Sequence, residues 1–297
     1  MTRRYIILMI LFAVTFITGL SWASDKTIET RYIIAKDGTG KLSDARLQEL
    51  ADQAQAALEG ILKFWSADVD VEKSGKIKVV FDEPRRKIYY VSVFHWDMQG
   101  FRRVRAVRVF GCEERPQEMV HKLTTAVFPH NDKMIRNIMG VPTEEQLGNL
   151  LTFPNCGFPC DDWVLVFLKI KSYIPLDQLG PGHEAWGMQT SPDGFPSVFD
   201  RSRQSRAYAQ AGSFGSYLIR TYGIDKMKKF YALSEKKDRP WQEVFGLTLQ
   251  DLEKNWLKDL NALESKKAQN ISKLSVLFEE NPNRACLRAQ KFTVGQP

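Results

Sequence analysis

Four cysteines have the residue type and spacing for covalent or metal chemistry: Cys112, Cys156, Cys160 and Cys286. Their number is even, which in a chain exported to an oxidising compartment predicts one or two disulfides. We favour Cys156 with Cys160 and Cys112 with Cys286, because the short segment between the first two can turn back on itself. A zinc site made from Cys156 and Cys160 is the alternative, although no second Cys or His pair accompanies them.

Histidines and carboxylates form a second set of candidates. His121 lies in an apolar stretch with helical spacing, and Glu118 precedes it by three residues on the same face. A histidine in such a stretch is typical of a core or interface residue, and the alternative is a metal ligand. Glu184, which follows His183, could hydrogen-bond His121 or cap a helix, because a buried carboxylate needs a partner.

The N-terminus indicates export. Arg3 and Arg4 precede an apolar run that ends in a small-x-small pattern at Ser21-Trp22-Ala23, as in a secretory signal peptide. If the signal is not cleaved, the run forms a membrane anchor. The expected location is therefore periplasmic or extracellular, with no membrane insertion after cleavage.

The overall charge is mildly basic. The formal net charge is +7, and it is spread along the chain instead of being concentrated in a tail. This distribution does not indicate nucleic acid as a partner. The sequence indicates no particular oligomeric state.

The elements that position these residues begin with a sheet. Four segments rich in β-branched and aromatic residues predict strands at 31–35, 76–81, 87–96 and 101–110. The last two form a hairpin about residues 97–100. Between the first two strands, apolar residues recur at three- and four-residue steps over 43–65, which predicts a long helix capped by Ser43 and Asp44.

From Pro116 the pattern becomes helical, with an apolar face on the first helix. Residues 128–181 are rich in Pro, Gly and Asn and predict an elaborated connection that contains one buried helix at 163–170. Further helices are predicted at 207–221, 225–234 and 249–263. The fold class is therefore α+β, with a small N-terminal mixed sheet and a long helix followed by a mainly helical C-terminal half.

The predicted organisation is a signal peptide and one domain. The signal peptide covers 1–23 and the domain 24–264, with a sheet-containing half at 24–115 and a helical half at 116–264. The polar, lysine-bearing segment 265–297 is predicted to be a peripheral tail.

The order of elements from about Tyr32 to Leu263 resembles the gluzincins, the peptidase MA-like relatives of thermolysin. In that family the helix after the hairpin carries His-Glu-x-x-His, in which two histidines bind one zinc and the glutamate is the general base. A later Glu is the third ligand. The pair Tyr222-Gly223, preceded by Tyr208, resembles the segment that follows it in the family.

The resemblance implies a site that has lost part of its chemistry. His121 matches the first zinc ligand and Glu184 the third, whereas Lys122 occupies the general-base position and Thr125 that of the second histidine. An ammonium group cannot accept a proton from water at neutral pH and repels zinc. Zinc hydrolysis is therefore disfavoured, and no cofactor is expected.

Zinc stays an alternative if other groups complete the site. His183 adjoins Glu184, Glu118 shares a face with His121, and His130 lies just beyond the helix. A metallopeptidase with this rearranged site is the second functional hypothesis.

The former cleft is the third feature that the resemblance implies. Trp186 is placed there because it follows Glu184 by two positions, and Tyr208 lies nearby. Arg103 and Arg105 belong to an arginine-rich strand that we interpret as a solvated edge. The functional alternative is a basic edge that holds an acidic segment by backbone pairing.

These features favour an exported, non-catalytic peptidase-like protein that binds a peptide or protein segment in the former cleft. A third hypothesis is an exported assembly or envelope-integrity factor with no function for the cleft. The region around His121, Trp186 and Tyr208 separates these hypotheses, because a cleft packed shut makes binding there implausible.

Overall fold

The computed structural model describes residues 26–84, 92–111, 119–191 and 196–293. Five strands form a mixed sheet: β1 (Thr27–Glu29), β2 (Ile33–Asp37), β3 (Ile77–Asp82), β4 (Ser92–Gln99) and β5 (Arg102–Phe110). The spatial order is β1-β2-β3-β5-β4, with β2, β3 and β5 parallel and the outer strands antiparallel. The α+β prediction, with this N-terminal sheet and a mainly helical second half, is confirmed.

The edge strand beside the helical half is β4, not β5. Strand β5 pairs with β3 on one side and with β4 on the other. Arg105 on β5 is buried and donates to the carbonyl oxygens of Gly75 and Ala126, at 3.3 Å each. The prediction that the arginine-rich strand is a solvated edge is therefore wrong, because the hairpin folds β4 to the outside of β5.

The long helix α1 (Asp44–Trp65) forms as its sequence pattern predicts. The Ser43 hydroxyl caps its N-terminus by accepting from the Arg46 N–H, and the predicted apolar face is buried against the sheet and the next helices. At the C-terminal end, the Trp65 indole donates to Thr143 Oγ1 at 2.9 Å. A single turn, α2 (Val71–Ser74), leads into β3.

The second half of the chain is mainly helical. Its helices are α3 (Met119–Val127), α4 (Lys133–Leu147), α5 (Cys160–Lys169), α6 (Arg201–Tyr222), α7 (Ile224–Ser234), α8 (Trp241–Phe245), α9 (Leu249–Asn261), α10 (Glu264–Glu280) and α11 (Ala285–Thr293). Short 3-10 helices at Leu176–Gln178 and Glu184–Trp186 and a small hairpin of β6 (Met188–Thr190) and β7 (Pro196–Val198) precede α6.

Helix α4 lies where the sequence analysis predicts only a connection. It begins at the N-cap Asp132, contains Pro142, and is buried along most of its length. It packs tightly against α6 because Gly215 has no side chain: a Cβ there would lie 2.2 Å from the carbonyl oxygen of Ile138. This helix carries much of the site described below.

The disulfide joins Cys156 to Cys286, with their Cα atoms 5.1 Å apart. The predicted pairing of Cys156 with Cys160 and of Cys112 with Cys286 is therefore wrong, and Cys112 lies outside the described residues. Cys160 is a buried free thiol at the start of α5 that faces Gly212 of α6, whereas Cys156 faces α11. Burial, reinforced by the nearby Glu145, raises the pKa of the Cys160 thiol.

The C-terminal segment is part of the core, so the prediction of a peripheral tail at 265–297 is wrong for residues up to 293. Helix α10 buries Ile271, Leu274 and Phe278, and the Phe278 ring lies 5.0 Å from that of Phe167 on α5. The buried Asp162 of α5 also accepts from Asn270 at 2.7 Å. Within the described ranges, no helix is both long and apolar enough to cross a membrane.

Candidate functional site: a cationic pocket behind the sheet edge

His121 is wedged between helices α3 and α4. Its side chain is buried, and its backbone N–H donates to Glu144 Oε2 at 2.7 Å. Gly140 provides the space for the ring, since a Cβ at that position would lie 2.3 Å from His121 Cδ2. The two helices therefore hold the imidazole in one place.

Glu144 is a structural residue that the sequence analysis missed. Its carboxylate is fully buried and accepts from the backbone N–H of His121 in the first turn of α3 and from that of Asn149 just after α4, so it ties the start of one helix to the end of the other. Only the position of α4 creates this contact, because Glu144 lies 23 residues after His121.

Lys122 and Thr125 occupy the positions that the resemblance assigns to the general base and the second zinc ligand. The Lys122 Nζ lies 3.4 Å from His121 Nδ1 and 5.9 Å from the centre of the Tyr208 ring. Thr125 Oγ1 donates to the carbonyl oxygen of His121 at 3.1 Å, within the helix. An ammonium group thus stands beside the imidazole where the family has a carboxylate.

A small cavity of about 60 Å³ lies in front of His121. We call it the inner pocket, and define it by Lys122, Thr125, Lys133, Arg136, His183 and Tyr208. Lys133 Nζ donates to Tyr208 Oη at 2.8 Å and lies 5.3 Å from the centre of the Trp186 ring. No Asp or Glu is among the described residues that line this pocket.

The described residues that line the inner pocket carry positive charge, and this charge acts on His183. Burial, together with the positive charges of Lys133, Arg136 and Lys122, lowers the pKa of His183 to about 4, against the opposing effect of Glu184. His183 is therefore neutral at physiological pH. Its Nδ1 is buried and finds no hydrogen-bond partner among the described residues.

Glu184 and Trp186 do not join the pocket. Both belong to the 3-10 helix Glu184–Trp186, in which Glu184 is exposed while the preceding His183 faces the inner pocket. Trp186 is fully buried, and its indole donates to the Gly180 carbonyl at 2.8 Å. The prediction that Trp186 is a cleft residue is wrong, because its ring fills the core behind Tyr208.

His130 is held by structural hydrogen bonds. Its Nδ1 accepts from the Asp132 N–H at 2.9 Å, and its Nε2 lies 3.2 Å from the Ser234 hydroxyl. Both ring nitrogens are thus engaged away from His121. Glu118 lies outside the described residues, and within the described ranges no three His, Cys, Asp or Glu side chains group as metal ligands.

A larger cavity of about 720 Å³ lies beside the inner pocket, along the edge strand β4. We call it the outer groove, and define it by Phe94, Trp96, His130, Asp132, Arg136 and Arg239. Phe94 and Arg136 line both cavities and so lie where the two adjoin. The cavity in front of His121 is therefore small, and a wider concave surface lies next to it.

The outer groove has an ion pair in its wall. Asp132 accepts from Arg239 Nε at 2.6 Å and from Nη2 at 3.2 Å, and Arg239 also donates to the Leu179 carbonyl. Of the predicted basic cleft residues, Arg103 packs over the Trp96 ring at 4.5 Å and Arg105 is buried below α3. Arg103 and Arg105 line neither cavity. The arginines that do are Arg136, which lines both cavities, and Arg239, which lines the outer groove.

The sequence matches no protein-family model, and a comparison with curated proteins finds no match.

Proposed function

We propose that the mature chain is an exported, non-catalytic protein on a gluzincin-like scaffold that binds an extended peptide or protein segment in the outer groove. The observation that carries this proposal is the cavity of about 720 Å³ along β4, the terminal strand of the sheet. A terminal strand offers unpaired backbone groups to an added strand, and side chains in the groove then select the sequence.

The chemistry of the inner pocket favours binding over cleavage. Of the zinc ligands that the resemblance implies, His121 lines the pocket and Glu184 does not. Lys122, Lys133 and Arg136 surround the remaining space with positive charge, which opposes a divalent cation. A zinc-bound water has no carboxylate base among the described residues that line this pocket.

Export is the second part of the proposal. The apolar N-terminal run lies outside the described residues and has the pattern of a signal peptide. A disulfide between Cys156 and Cys286 fits an oxidising compartment. The expected mature protein begins at residue 24.

A random hexapeptide library retained on immobilised protein (residues 24–297) tests binding. We expect Trp96→Ser to reduce retention about tenfold, because Trp96 lines the groove, and Met98→Ser to leave it unchanged. Met98 is the matched control, since it lies on the same strand, is exposed and does not line the groove. Equal retention by both variants would place the peptide elsewhere.

The alternative, a metallopeptidase with a rearranged site, is tested on the same protein purified without chelator. Our proposal predicts no stoichiometric zinc and no cleaved peptides by mass spectrometry, with or without added zinc. About one zinc per chain that disappears in His121→Ala and Glu184→Ala, together with cleavage activity, would replace the binding proposal with the metallopeptidase.

A further inference from the structure

Arg136 stands at the junction of the two cavities, because it lines both the inner pocket and the outer groove. Within the described ranges its side chain makes no hydrogen bond or ion pair. Asp132 lies one helical turn earlier and attracts the charge of Arg136, but both of its carboxylate oxygens accept hydrogen bonds from Arg239.

The surroundings of Arg136 compensate its charge only in part. Burial lowers the pKa of Arg136, against the opposing effects of Tyr208 and Asp132, so the site on balance disfavours the charge even though the group stays protonated. A largely buried charge is normally paired, because water no longer solvates it fully. The guanidinium has five N–H donors in a planar fork, and a carboxylate matches two of them at once.

The surroundings reinforce the preference for negative charge. Lys122 on α3 and Lys133 on α4 line the same pocket, and the described part of its wall has no carboxylate. A volume of about 60 Å³ has room for a few water molecules or a carboxylate group, but not for a bulky side chain. Tyr208, held by Lys133, closes the inner end.

We infer that the inner pocket, with Arg136 at its mouth, is a subsite for one carboxylate group of the segment bound in the outer groove. This inference rests on the proposed peptide-binding function and gives it a specificity. Two sources supply the same chemistry: the C-terminal carboxylate of a peptide, or an Asp or Glu side chain within it. Arg136 donates two parallel hydrogen bonds, and Lys122 and Lys133 add attraction.

The test uses an equimolar mixture of two random hexapeptide libraries, with free-acid and amidated C-termini, on immobilised protein (residues 24–297). We expect peptides with a carboxylate to be enriched about tenfold or more in the retained pool relative to the starting mixture, because the carboxylate forms charge-assisted hydrogen bonds with Arg136. Enrichment of free acids identifies the C-terminus as the source, whereas enrichment of Asp or Glu at one position identifies a side chain.

Three variants isolate Arg136. Arg136→Gln should abolish the enrichment, and Arg136→Lys should retain only part of it, because a lysine has no fork. Arg220→Gln is the matched control: it removes the same charge from an exposed pair with Asp259 and should bind like the unchanged protein. A circular-dichroism melt of each variant checks that the fold is intact.

The outcomes separate this inference from the proposed function. If peptides are retained without a preference for carboxylates, the carboxylate subsite is wrong but peptide binding in the groove still stands. The same conclusion follows if the preference persists in Arg136→Gln. If no peptide is retained, the proposed function is wrong, and the subsite is tested separately by thermal unfolding in sodium acetate and in sodium chloride at equal ionic strength. A higher Tm in acetate that is lost in Arg136→Gln supports a carboxylate site. The absence of such a rise contradicts it.

Discussion

The outer groove and the inner pocket are both lined by partly buried arginines and histidines, but they differ in how far the described residues pair these groups. In the outer groove, Arg239 is paired with Asp132, and both ring nitrogens of His130 have partners. The Nδ1 of His95, which also lines this groove, is buried and has no hydrogen-bond partner among the described residues. In the inner pocket, Arg136 and the Nδ1 of His183 have none among the described residues. Buried polar groups are normally hydrogen-bonded within the fold. We therefore assign the paired Arg239 and His130 a structural role, and the unpaired Arg136 and His183 a role in ligand binding.

The largest expected effect on stability comes from removing the ion pair between Arg239 and Asp132. Arg239→Met leaves the buried Asp132 carboxylate without its counter-ion, so we expect the free energy of unfolding to fall by about 3 kcal/mol. Urea denaturation measures this loss. The control is Arg220→Met, whose pair with Asp259 is half exposed and whose removal should change stability by no more than about 0.5 kcal/mol. Equal losses of stability in the two variants would contradict a structural role for Arg239.

The next effect tests whether the inner pocket is rigidly built. Gly140→Ala drives a methyl group into His121, so we expect a loss of about 1–2 kcal/mol, although alanine favours a helix. Gly60→Ala on α1 is the matched control, since its nearest neighbour would be Leu147 Cδ1 at 3.8 Å, and it should gain about 0.5–1 kcal/mol. A gain at both positions would mean that His121 moves aside freely.

The sequence predicts the elements whose patterns are regular and local. The long helix α1, the β4–β5 hairpin and the apolar face of α3 follow from periodicity, and their outlines are confirmed. Helix α4 was not predicted, because Gly140 and Pro142 interrupt its pattern and several of its polar residues, such as Asn137 and Glu144, are buried. A helix that contains Gly, Pro and Asn resembles a connection in its composition.

The site was predictable only in part, for the same reason. The resemblance to the gluzincins singles out His121, Lys122 and His183, and all three line the inner pocket. Arg136 was not predicted, because its importance depends on α4 and on an Asp132 already paired with Arg239. The disulfide was mispredicted because a short sequence separation says nothing about which way two side chains face across a helix start.

The unpaired His183 should also affect the pH dependence of stability. His183 faces Lys122 from α3, Lys133 and Arg136 from α4 and its neighbour Glu184, and its pKa of about 4 lies below the ordinary value of 6.5. As the pH falls from 6.5 to 4, the unfolded chain takes up a proton that the folded chain refuses, so stability decreases across this window.

The variant His183→Gln removes this contribution. Its free energy of unfolding, measured by urea at several pH values, should fall less steeply than that of the unchanged protein between pH 6.5 and 4. The two curves should run parallel above pH 7, which serves as the internal control. The pKa of His95 is also lowered by burial, so some slope persists in the variant. Identical slopes would mean that His183 titrates normally in the folded protein.

The smallest expected effect is the most informative about Arg136. Arg136→Met keeps much of the side-chain volume and removes a desolvated charge that has no partner among the described residues. We therefore expect the free energy of unfolding to stay within about 0.5 kcal/mol of its original value or to rise, in contrast to Arg239→Met. Urea denaturation of the two variants side by side makes this comparison. A decrease of about 2 kcal/mol or more in the free energy of unfolding would show that Arg136 already has a structural partner. Arg136 would then be a structural residue like Arg239.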